Sequence, residues 1–115
     1  MKLMNTFCKD STETASVRTQ ILMEANENIT GQREHDYGSP ESNFGIIAAL
    51  WGDYLGAKVS PTDVAMMMCL LKIARIKNGG GTGDSFIDLA GYAACGGEIR
   101  ERQMRTETEE ERLAK

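Results

Sequence analysis

Two aspartates, Asp84 and Asp88, stand four residues apart in a run whose other members, Phe86, Ile87, Leu89 and Ala90, are apolar. On a helix the two carboxylates share one face. Carboxylates one turn apart can hold a hard divalent cation such as Mg2+, which takes oxygen ligands. The plainer alternative has Asp84 capping the helix and Asp88 pairing with a cation. Asp88 carries the stronger signal, because a charge among apolar neighbours must be paired or bound to metal. A structural ion pair competes with the metal there. The preceding apolar segment supplies Lys72 and Arg75, three apart and on one face. They suit phosphate, Arg through its planar fork and Lys as a point charge. As cations near a helix C-terminus they also complement the macrodipole.

The elements that must position these groups can be read from caps and spacing. Ser60-Pro61-Thr62-Asp63 has the form of a capping box with proline at the first helical position. It predicts a helix from about Pro61 to Ile76, apolar around its circumference through Val64–Leu71 and so buried on most sides. Its Met66-Met67-Met68 run reads as core filling. A glycine-rich turn from Asn78 to Gly83 reverses the chain; it lacks the Gly-Lys-Ser/Thr ending of a P-loop. A second apolar helix follows, from about Asp84 to Gly96. Packed antiparallel, the two helices bring the cations and the carboxylates to the same end of the hairpin.

Upstream, Ser11 or Thr12 can cap a first helix that runs to Ile29 and stops at Thr30-Gly31. The polar loop from Gln32 to Pro40 carries Arg33, Asp36 and Tyr37, and such loops often carry function. Ser39-Pro40-Glu41 starts another helix, with Phe44, Ile47, Ala48, Trp51 and Leu55 as its apolar stripe and Gly56 at its end. No strand signal appears. The predicted fold class is all-α, a compact four-helix bundle. Residues 1–10 read as a flexible arm, 11–97 as the helical domain and 98–115 as a charged helical extension or tail, supported by Glu98–Arg102 and Glu101–Arg105 pairs.

The chain has 115 residues and a net charge of −4, which suits one small domain and speaks against nucleic acid as a partner. Its three cysteines are odd in number and show no metal spacing. Cys69 and Cys95 lie in apolar runs and read as reduced core residues of a cytoplasmic protein. The Met-rich run is too short to span a membrane, and Met1 to Asp10 has no apolar signal-peptide core. His35 is the single histidine and makes neither a triad nor a zinc site.

Three blocks carry a resemblance. They are Arg33…Asp36-Tyr37-Gly38-x-Pro40…Asn43-Phe44, then Asp63-Val64-Ala65-Met66-Met67…Leu71-Lys72-Ile73-Ala74-Arg75, then Asp84-Ser85…Asp88-Leu89-Ala90-Gly91-Tyr92. Together they resemble a small phage and prophage family of unknown biochemistry, over about Ile21 to Glu98. That family is in turn distantly similar to the all-α nucleoside triphosphate pyrophosphohydrolases of the MazG kind. Those enzymes hold Mg2+ with an E-x-x-E pair on one helix and an E-x-x-D pair on the next. Asp88 matches the final aspartate of the second pair. Ser85 stands where its glutamate would be, Asp84 is one place off, and the helix before has Asp63 as its only acid.

The resemblance implies Mg2+-dependent cleavage of a nucleoside triphosphate in a bacterial host's cytoplasm. Asp84 and Asp88 would hold the metal, and Lys72 and Arg75 would clamp phosphates. Arg33, Asp36, Tyr37 and Asn43 would read sugar or base. The alternative is a non-catalytic module that binds a nucleotide or a protein, as a sponge or regulator; a structural oligomer without ligand is a third. MazG-like proteins assemble as dimers or tetramers. Two helices apolar around their circumference also predict a homo-oligomer here, since one small domain hardly surrounds both.

Overall fold

The computed structural model describes residues 16–31, 35–36, 38–79 and 83–114 of the chain. Four helices account for nearly all of these: α1 (Val17–Ile29), α2 (Pro40–Leu55), α3 (Pro61–Lys77) and α4 (Gly83–Ala114). The fold is all-α, as predicted, with no strand among the described residues.

Each helix start has a local cause. The Oγ of Ser39 accepts from the Ser42 N–H, Pro40 takes the first position of α2, and Glu41 sits in its first turn. At the other end Gly56 adopts a left-handed φ of 66° and donates its N–H to the Gly52 carbonyl, a closure that glycine makes without strain. The capping box of α3 is complete: the Asp63 N–H donates to Ser60 Oγ and the Ser60 N–H to Asp63 Oδ2, both at 3.0 Å. Ser60→Ala is therefore expected to cost about 1 kcal/mol, read as a lower midpoint in urea with an unchanged slope. The start of α1 differs from expectation. Ser16, not Ser11 or Thr12, provides the cap, its Oγ accepting from the Thr19 N–H at 3.2 Å. Ser11, Thr12 and the arm before them lie outside the described residues, as does the middle of the glycine turn.

The helices pack around α4, which contacts α3 most extensively and α1 on another side, while α2 rests mainly on α3. The core draws Phe44 and Ala48 from α2, Val64 and Ala65 from α3, and Cys95 and Ile99 from α4. Gly96 sets how close α3 and α4 come. A Cβ there would lie 2.9 Å from Met66 Cε and 3.0 Å from Ala65 Cβ. The core does not stop at Gly97: Ile99 is fully buried, and α4 continues unbroken to Ala114. Arg102 ties this part to α2 through a 2.8 Å bond to Glu41. The predicted Glu98–Arg102 and Glu101–Arg105 pairs both form, at 3.8 and 2.9 Å.

One expectation about α3 is corrected. Its apolar circumference is not buried on most sides: α2 and α4 cover one side and leave the opposite face open. Met66 and Met67 are each 42% exposed and Leu70 is 63% exposed; Met68 packs against the core, and Met66 reaches α4 with its tip at Gly96. No helix among the described residues is long and apolar enough to cross a membrane.

Candidate functional site

Antiparallel packing of α3 on α4 brings Lys72 to Asp88. The Lys72 Nζ lies 3.0 Å from Asp88 Oδ2, with the lysine side chain 12% exposed and the aspartate 39%. The more buried member is the lysine, whose ammonium is paired as its burial demands, while the aspartate stays open to water. Arg75 does not join the pair. Three residues along a helix is about 60° short of a full turn, and that offset carries Arg75 out to solvent. Asp84, in the first turn of α4, is also exposed. The four groups that the sequence assigns to metal and phosphate therefore separate into one ion pair and two surface residues.

Asp88 has a second role. It lines a cavity of about 770 Å3 bounded by the end of α1, the start of α2 and the middle of α4. Asn43 lines the same cavity, beside Phe44 and Tyr92, whose ring centroids are 6.2 Å apart. The backbone turn at Gly38-Ser39-Pro40 forms another wall, at the N-terminal end of α2. Gly91 lets α1 come in close, since a Cβ there would lie 3.1 Å from Ile29 Cγ2. Lys72, Arg75, Asp84 and Asp36 do not line the cavity. Asp36 is exposed in a short helical piece. Arg33 and Tyr37 lie outside the described residues.

Sequence reasoning misses Glu27. It looks for a second acidic pair on α3, where Asp63 stands alone and serves the cap. An acidic pair at that spacing does occur on α1, as Glu24-x-x-Glu27, on the helix that packs against α4. Glu27 lines the cavity together with Asp88. Glu24 lies one turn earlier, and its Oε2 is buried without a hydrogen-bond partner. The signal that finds them is acidic spacing on the first helix.

A magnesium ion tests this arrangement. Among the described residues no three His, Cys, Asp or Glu side chains stand close enough to hold one metal ion. A cage built from protein alone is not formed. Mg2+ that arrives with phosphates takes only one or two carboxylates from the protein, and the hard oxygens of Glu27 and Asp88, both at the cavity, are of that kind. The described thiols offer no alternative centre: neither Cys69 nor Cys95 forms a disulfide, both are buried, and burial pushes the Cys69 thiol up.

Residues 20–100 match the family model described as a domain of unknown function, DUF6378. The chain belongs to the DUF6378 family. That match spans α1 through the buried part of α4, and so includes every described residue of the cavity. Among similar proteins, the Gene 55 protein of Mycobacterium phage D29 is 47% identical over 87 residues, 76% of this chain and 58% of the relative. The Gene 55 protein of Mycobacterium phage L5 is 51% identical over 74 residues, 64% of this chain and 47% of the relative. The chain thus spans about half the length of the curated relatives it matches. No solved structure matches it. The resemblance to a phage family of unknown function holds on these matches.

Proposed function

We propose that this DUF6378 chain binds a nucleotide in the cavity between α1, α2 and α4. The observation that carries the reading is the convergence of Glu27, Asp88 and Asn43 with an aromatic pair on one cavity of ligand size. Carboxylates accept hydrogen bonds from ribose hydroxyls or exocyclic amines, and a primary amide offers both a donor and an acceptor to a base edge. Tyr92 gives the base a ring to lie against. The dipole at the N-terminal end of α2 suits phosphate oxygens. Glu27 and Asp88 would hold a Mg2+ ion carried by those phosphates. A nucleotide ligand places the action in the host cytoplasm.

A second reading, cleavage of the triphosphate to monophosphate and pyrophosphate, is favoured by the buried, unbonded Glu24 oxygen one turn from Glu27. The distant MazG-like resemblance supports it as well. When bound, Mg2+ would polarise the phosphate and lower the pKa of a water molecule.

A thermal-shift panel of ribo- and deoxyribonucleoside triphosphates, with and without Mg2+, tests both readings. A ligand bound only by the folded state stabilises it by about 2.7 kcal/mol at a hundred times its Kd, so at least one nucleotide is expected to raise the melting temperature by several degrees. Released pyrophosphate separates the enzyme from the binding module. A flat panel at millimolar ligand sinks the nucleotide reading.

A further inference from the structure

We propose that the open face of α3 is the seam of a homodimer, in which two copies of the helix pair antiparallel across a two-fold axis at Leu70. The inference is independent of what the cavity binds. The helix buries Val64, Ala65 and Cys69 toward its neighbours, and the face turned away carries Met67 and Leu70, flanked by Ile73 and by Met66, whose tip also reaches Gly96 of α4, all at 42 to 63% exposure. Asp63 and Lys77 close this face at its two ends. The positions 63, 66, 70, 73 and 77 recur at the spacing of a helix–helix seam.

The occupant follows from symmetry and charge. Asp63 and Lys77 each lie seven residues from Leu70, so an antiparallel copy centred there sets Asp63 against Lys77 of its twin, twice over. A two-fold contact needs such a self-complementary surface. One Asp63 oxygen already serves the cap, and a carboxylate has a second oxygen for the ammonium. Met67, Leu70 and Ile73 are each at least 42% exposed, an apolar patch that a second copy would cover.

Light scattering on the full chain at tens of micromolar is expected to report twice the 12.6 kDa chain mass. Leu70→Lys, which sets two ammonium groups on the axis, should return the monomer mass while the helical circular dichroism persists. Lys77→Glu, at an exposed position that the monomer fold does not use, should raise the dimer dissociation constant about tenfold. Leu70→Cys should cross-link to its own copy on mild oxidation. A wild-type chain that stays at 12.6 kDa overturns the proposal. So does a dimer indifferent to Lys77→Glu, or a Leu70→Cys chain that does not cross-link.

Discussion

Asp88→Asn is expected to remove nucleotide binding while leaving the helices in place. Asparagine matches aspartate in shape but carries no charge, so it loses both the cation partner and the strong acceptor in the cavity wall. The loss has a structural side, because Lys72 is then left 12% exposed without its counter-ion. Removing one member of a fully buried pair costs about 3–5 kcal/mol. Asp88 is 39% exposed, and water reaches it, so about 1–2 kcal/mol is the better expectation. Melting temperature and ligand-induced shift, measured on the same sample, separate the two effects. A folded variant that binds like the parent removes Asp88 from the site. A variant too unstable to fold shows instead that the pair with Lys72 is structural.

Ile99→Ala is expected to be the most damaging single truncation, at about 3–4 kcal/mol. Ile99 has no exposure and lies where α4 passes Phe44, Ala48 and Val64 of the core cluster. A domain of this size has about 5–15 kcal/mol of stability in all, so urea unfolding should shift by a large fraction of its midpoint. Met104→Ala on the same helix is the control: Met104 is 56% exposed, and about 0.5 kcal/mol or less is expected. Equal costs at the two positions would mean that the core ends before residue 99.

Helix starts and stops were the most legible part of the chain, because caps act locally. The Ser39 and Ser60 caps, the prolines after them and the left-handed Gly56 all follow from neighbouring residues, and all are found. The meeting of Lys72 with Asp88 was legible too, since an apolar hairpin with one charge on each inner face leaves few other pairings. What spacing could not give is rotation. Lys72 and Arg75 share a broad face, but only one of them points at α4. The cavity was hidden for a related reason. It depends on α1 crossing α4 at Gly91, a contact between residues 62 positions apart (Ile29 and Gly91) that no local pattern announces. For that reason Glu27 stayed out of sight while Asp84, nearer in sequence, drew the assignment. That some apolar circumference would stay open was legible in two all-apolar helices within so short a chain, but how far α3 bears it was not, because composition cannot say how many neighbours a helix has.

The length of α4 has a consequence of its own. At 32 residues the helix spans on the order of 48 Å, and its last fully buried side chain is Ile99. Beyond Gln103 every described residue is exposed, and what holds the rod there is its own backbone ladder with the Glu101–Arg105 and Glu109–Arg112 pairs. Such surface pairs are screened by salt, whereas the apolar contacts of residues 87–99 are not. Ionic strength therefore acts on the two halves of one helix differently. It sets how far the rod reaches from the bundle, and leaves the bundle alone.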